Sequence, residues 1–516
     1  MTPLRVVAAL PLCLLAGATA FAQAGGQAAR TSRPGPLARI VWLEAAGDKP
    51  QQRQLPVYRR IAASDPRLKD YERWIDTEAG RFARRLVYRA AQRFGTDPVF
   101  REPVLPVVIR KGGNNPDFGL AISHPGGIEE HPQLPYIILD PSPSYLGDTL
   151  LHESGHLVHS LAVAGRGGER PWSAFPHTTF ATSDPSTALA EGYGIHFETL
   201  WGHFGADSAK QAYYRRLAPS FEAGQGRKTH YFAPVDDLMN FAQVWSRYQA
   251  VRDSLPAFEG HVYAGAYPRT QMDPARDCAR LKSPNAMLAS EGVVASFFFW
   301  MVAGIAAENG ARPAAGFDQP AIIDAEMVLL EALSRLAPAD PRAFRPDVLD
   351  VVDTLARGDR HVGDIVISRF VDVTRGVTAR PAVRDAWRTL YGAAIMLDLD
   401  TAKGLVARLD AERAEIVERA RRDTTSLRAG VGPILPVRLG RATFEMKAFG
   451  RTLPVEFDLN AMGEAEIALL EGLDGEARAR VERERTRAPF ASTSDFSTRT
   501  GLSLDKLGLV VIVLDR

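Results

Sequence analysis

The feature that most constrains this chain is a pair of histidines four residues apart inside an apolar run. Residues 150–159 read Leu150-Leu151-His152-Glu153-Ser154-Gly155-His156-Leu157-Val158-His159. The apolar spacing predicts a helix, and residues four apart on a helix lie on one face, one turn above the other. Both imidazoles then point at one place. Two histidines and a glutamate on a buried helix are costly unless something satisfies them, so the fold has to be built around a polar centre. Glu153 falls about 100° around the helix from His152, which sets its carboxylate beside that centre rather than among its ligands. A metal ion with one open coordination position suits this His-Glu-x-x-His spacing.

With 516 residues and 24% charged side chains, the chain has room for two or three domains of ordinary soluble character. Its formal net charge of +1 gives no electrostatic footprint for nucleic acid or for an anionic membrane. Arg5 precedes an apolar run from Val6 to Ala18, and Ala20, Ala22 and Ala24 follow. This pattern predicts a signal peptide over residues 1–24 and a secreted or periplasmic protein. Cys13 lies in that leader behind Leu12, which is no lipobox, and Cys278 is then the one cysteine left. No internal disulfide can form, so stability has to come from the core and from bound metal. A second apolar run, Gly292 to Ala307, is too short for a bilayer and is bracketed by Glu291 and Glu308; it predicts a buried helix and no stable membrane span.

Residues 25–54 read as a loose entry with one strand at Ala38 to Leu43. Leu68, Tyr71, Ile75, Phe82 and Leu86 predict one helix from Asp65 to Phe94, ended by Gly95. Strand patterns follow at Val104 to Ile109, Gly119 to Ser123 and Tyr136 to Leu139, and most of the remainder is helical. The expected class is α+β: a small N-terminal sheet, the histidine helix, a large mainly helical lobe and a small helical C-terminal module. Boundaries fall at residues 25–430 for the main domain and 431–516 for a linker hairpin with the last module. The Arg- and Glu-rich stretch Ala411 to Arg428 reads as a solvated helix face.

A catalytic zinc needs a third protein ligand and an open position for water. The metzincin pattern fails, because His159 and Ala162 stand where Gly and His or Asp are required. Downstream, Ala188-Leu189-Ala190-Glu191-Gly192-Tyr193-Gly194-Ile195-His196-Phe197-Glu198 opens behind Asp184-Pro185, a good helix start. Glu291 of Ser290-Glu291-Gly292, at the head of the apolar run, and the imidazoles of His159 and His196 are rivals for the third ligand. The segment Glu191-Gly192-Tyr193-Gly194, together with the His-Glu-x-x-His pair, resembles the gluzincin metallopeptidases over roughly residues 100–205. The resemblance implies a Zn2+ ion held by His152, His156 and Glu191, with Glu198 steadying one imidazole from behind. It implies hydrolysis of peptide bonds in a peptide or protein substrate, with Glu153 as the general base toward water. A Tyr or His of the helical lobe should stabilise the developing oxyanion, with His230, Tyr231, His261, Tyr263 and Tyr267 as candidates. Gly119 to Ser123 is the candidate edge strand for pairing with substrate backbone.

Residues 457–496, with Glu471-Gly472-Leu473-Asp474-Gly475 and Ala488-Pro489-Phe490-Ala491-Ser492, resemble the helix-hairpin-helix repeat of the competence protein ComEA. Such hairpins hold phosphate on free backbone amides. Here Asp474 replaces the second hairpin glycine. Residues 455–516 hold twelve Asp and Glu against eight Lys and Arg, a net −4 and the wrong sign for a nucleic-acid surface. A contact to another protein, or packing within this one, is the expected role. The alternative to a peptidase is a non-catalytic zinc-containing scaffold that binds the envelope or DNA through this module.

Overall fold

The structure is a computed structural model. It describes residues 35–47, 51–52, 55–95, 100, 102–113, 115–141, 148–164, 185–204, 281–309, 320–336, 346–395, 399–433, 436–446, 451–460, 467, 470–504, 507–509 and 513–514. The leader 1–24, Cys278 and the five oxyanion candidates lie outside the described residues. The protein is α+β, with a small N-terminal sheet and a mainly helical remainder.

Strands β1 (Arg39–Ala45), β2 (Gln51–Gln52) and β3 (Leu55–Arg60) precede helices α1 (Arg67–Ile75) and α2 (Glu78–Phe94); β4 (Val104–Ile109), β5 (Asn115–His124) and β6 (Gly127–Leu139) follow. They pair in the order β1-β4-β6-β5-β3-β2, and β1 also pairs with β3. That extra pairing, Leu43 to Ala45 against Arg60 to Tyr58, closes five strands into a ring. Successive side chains of a strand face opposite ways, and here both faces are covered. Leu105, Val107, Ile137 and Leu139 join the main helical core, while Val104, Val108, Tyr136 and Ile138 pack with Leu120, Ile122 and Phe100 in a second one. Burial on both faces is why β4 and the end of β6 read as unbroken apolar runs.

Three expectations change here. The single helix over residues 65–94 is two, because Thr77 leaves the helix and caps α2 by accepting from the Gly80 amide at 3.1 Å. Ile75 and Phe82 are seven residues apart, two helical turns, so the apolar spacing runs through the break without showing it. Strand β3 follows the entry segment 25–54, in a stretch where the sequence predicts no strand. As a result Gly119 to Ser123 is no edge: Ala121 to Ser123 pair with Val57 to Arg59 on one side and with Glu130 to Ile128 on the other. Gly119 itself sits in a bulge at φ +79°, a conformation that favours glycine.

Helix α3 (Asp148–Ala164) follows β6 and packs on it and on α2; α4 (Pro185–Phe204) packs on α3. The lobe continues with α5 (Pro284–Leu288), α6 (Glu291–Glu308), α7 (Pro320–Leu336), α8 (Val348–Ala356), α9 (Arg360–Thr374), α10 (Val383–Ile395) and α11 (Leu399–Arg422). Helix α6 is its centre and touches α4, α7 and α9. Among the described residues it is the one helix apolar and long enough to cross a membrane, and 78% of it is buried inside the protein. Phe297, Phe298 and Phe299 are fully buried there. Each is worth about 1.5–3 kcal/mol of burial, which makes α6 a core helix. Helix α11 buries Ile416, Val417 and Ala420 and turns its charges outward, where Arg413 meets Asp372 and Arg421 meets Asp364.

Beyond residue 431 come β7 (Pro436–Met446), β8 (Arg451–Asp458), β9 (Leu470–Glu471), α12 (Gly475–Arg487), α13 (Thr493–Thr500), β10 (Gly508–Leu509) and β11 (Val513–Leu514). Strands β7 and β8 form the expected hairpin, β11 extends it alongside β7, and β9 pairs with β10. This module is anchored to the lobe. Asn285 and Gly432 exchange hydrogen bonds at 3.1 and 3.2 Å, and Ser283 donates to the Asn460 carbonyl at 3.3 Å.

Candidate metal centre

Helices α3 and α4 cross where glycines let them touch. A Cβ on Gly155 would lie 3.2 Å from the Gly194 Cα and 3.3 Å from the Phe197 Cβ. A Cβ on Gly194 would lie 2.9 Å from His152 Cε1 and 3.0 Å from His156 Nε2, and one on Gly192 would strike Val294 at 2.7 Å. The spacings at Gly194 and Gly192 reach below what side chains accept, and those at Gly155 are tighter than most side-chain contacts. The three glycines therefore set the two helices, and α6 behind them, close enough for one residue of α4 to reach the histidines of α3.

That residue is Glu191. Its Oε2 lies 3.3 Å from His156 Nε2 and 3.5 Å from His152 Nε2, and the two nitrogens are 3.0 Å apart. Among the described residues, these three side chains form the group whose potential ligand atoms all lie within 4.8 Å of one another. The triangle has the size a tetrahedral ion requires, since ligands bound at about 2.0–2.1 Å stand about 3.3 Å apart. A circle through the three atoms has a radius of about 1.9 Å, so His152, His156 and Glu191 would hold an ion at ordinary zinc–ligand distances, with a coordination position left for water. Two imidazole nitrogens and one carboxylate oxygen are a donor set that zinc favours. His156 is buried, and Glu191 keeps 14% of its side chain exposed. Glu153 lies on α3 beside His152 and is buried.

The rival ligands go elsewhere. The His159 ring stacks on Tyr193 with 5.6 Å between centroids, and burial, with the charge of His156 second, lowers its imidazole to about 3. It is neutral at ordinary pH. His196 places Nε2 2.8 Å from Glu326 Oε1, on α7. Glu291 opens α6, where its backbone oxygen faces Gly192, and it is not one of the three. Glu198 lies in the same helix as Glu191, but its side chain is outside the described residues.

Glu326 is the residue that sequence reasoning missed. It is fully buried and accepts from the Tyr193 hydroxyl at 3.0 Å as well as facing His196. Burial, and the carboxylate of Glu326 second, push the Tyr193 phenol well above its ordinary value, so it stays a donor. A signal existed: Ile322, Glu326, Leu329 and Leu333 follow one helical stripe, and an acid on an apolar stripe asks for a partner.

Neither a family model, nor a curated protein, nor a solved structure matches this chain.

Proposed function

We propose that the chain is a secreted or periplasmic zinc-dependent peptidase acting on a peptide or protein substrate. The observation that carries this reading is the triangle of His152 Nε2, His156 Nε2 and Glu191 Oε2, at tetrahedral ligand spacing, with a glutamate next to the first histidine. A zinc ion bound there supplies Lewis acidity toward a carbonyl and acidifies water. Glu153 takes the proton from the attacking water and returns it to the leaving amine, so that one carboxylate serves as base and then acid. His152 and His156 hold their rings by their place on one face of α3, and Glu191 adds a negative charge that favours a divalent cation. The resemblance to gluzincins supports the same assignment from the sequence side. The C-terminal module serves as a packing or protein-contact element, because Asp474 fills the amide that a phosphate would need: it accepts from the Ala477 N–H at 2.8 Å.

The test separates chemistry from metal binding. Glu153→Gln keeps size and hydrogen-bonding reach but loses basicity, so zinc content should stay while cleavage of a broad peptide library slows at least about a hundredfold. Equal cleavage by both proteins would remove Glu153 as the base. Zinc in both and cleavage by neither would replace the peptidase by a non-catalytic zinc scaffold.

A further inference from the structure

Glu191 reaches the two histidines at one rotation and one height of α4; toward α3, that helix offers the Tyr193 ring stacked on His159 and, at the imidazoles, only a glycine. Gly194 stands opposite the imidazoles, and Gly192 lies against Val294 of α6, so the glycines set distance rather than direction. Two further directional contacts of α4 lie with α7. Tyr193 donates to Glu326 Oε2 at 3.0 Å, and His196 Nε2 lies 2.8 Å from Glu326 Oε1. His196 Nδ1 lies 2.5 Å from the Tyr193 carbonyl, which fixes the ring. All three side chains are fully buried.

Packing alone explains this poorly. The neighbours of Glu326 on α7 include Ile322, Ile323, Leu329 and Leu330, and an apolar residue among them would avoid the desolvation of a carboxylate. What a carboxylate adds is direction. Two hydrogen bonds to residues three apart on α4 fix both the turn of that helix and its height, and Glu191 is two residues from the first of them. We infer that Glu326 is a positioning residue, which holds α4 so that Glu191 meets His152 and His156. The inference rests on reading that triangle as a metal site.

The experiment uses the full chain with Zn2+ and Co2+ as probes, Co2+ for its visible absorption. Two variants are compared: Glu326→Gln, and a triple variant Tyr193→Phe, His196→Leu, Glu326→Leu that removes the network and leaves an apolar core. Replacing a whole buried polar network by apolar residues is commonly tolerated, so the triple variant should melt close to the unmodified protein. It should nevertheless hold zinc about 10–100-fold more weakly and show an altered Co2+ spectrum; Glu326→Gln should fall in between. A folded triple variant with unchanged affinity and spectrum overturns the inference and leaves the metal site standing. Variants that lose metal only in proportion to lost fold overturn it too, since the network is then structural. An unmodified chain that takes up neither ion overturns the metal-site reading, and this inference with it.

Discussion

Two helix pairs of this protein are built from similar parts and end in opposite states. Helices α3 and α4 bring three donor atoms from two helices to within 3.5 Å of one another. Helices α12 and α13 instead direct their polar side chains to their own backbone. Asp474 accepts from Ala477 and caps α12; Ser492 accepts from Asp495 at 3.0 Å and caps α13. Arg499 donates to the carbonyls of Glu484, Ala488 and Pro489 and lies 4.5 Å over the Phe490 ring. The first pair points its chemistry at a spot between helices, which the proposed function assigns to an external cation. The second closes on itself, and its contribution is to the fold. Each resembles a ligand-binding family in sequence, and Asp474 with the net −4 of residues 455–516 is what sets the second apart there.

The sharpest way to break this contrast is to remove the carboxylate that crosses between α3 and α4. Glu191→Gln should lose zinc by more than the roughly hundredfold expected of a residue behind the ligands, read by metal analysis after dialysis against a chelator. Glu291→Gln should keep its zinc and change thermal stability alone. The reverse ranking would move the third ligand to the head of α6 and undo the geometry drawn here.

Why the centre was legible at all follows from its chemistry. His152, Glu153 and His156 stand at helical spacing within one element, so their convergence is written in local sequence. Glu191 is on another helix, and its place came from a resemblance; the residues alone left Glu291, His159 and His196 open. Strand β4 and the end of β6 were legible because both faces are buried, whereas β3 carries Pro56, Arg59 and Arg60 and looks like a loop. Missing it made Gly119 to Ser123 look like a free edge, since a strand's outer partner is a fact of topology and not of composition. Glu326 was hidden for a related reason: its partners Tyr193 and His196 stand 133 and 130 residues away.

A smaller effect compares two glycines, one in each helix pair. Gly194→Ala puts a Cβ at 2.9–3.0 Å from both imidazoles, while Gly475→Ala meets nothing within 4 Å. The rings cannot retreat without moving ligand nitrogens. Zinc affinity of Gly194→Ala should therefore drop about 10–100-fold, the size of effect a misoriented ligand gives. Gly475→Ala should leave zinc untouched and shift stability by no more than the ~1 kcal/mol of helix propensity, and in the stabilising direction. Equal zinc retention by both would mean that the helices have slack where they cross.

The smallest change tests the closed pair. In Asp474→Ala, α12 loses the side chain that satisfies the Ala477 amide, which should cost about 1 kcal/mol by denaturant or thermal unfolding. Zinc content should not move, because the cap acts within the C-terminal module and the contacts tying that module to the lobe, Asn285 with Gly432 and Ser283 with Asn460, are made by other residues. The freed amide should not recruit DNA either. One opened donor contributes a single contact against a module whose charge becomes −3 once the carboxylate is gone from −4, still repulsive to phosphate. A loss of zinc in this variant would show that the two helix pairs are mechanically joined through Asn285 and Asn460. A gain of salt-dependent DNA binding would restore the nucleic-acid reading that the sign of the charge argues against.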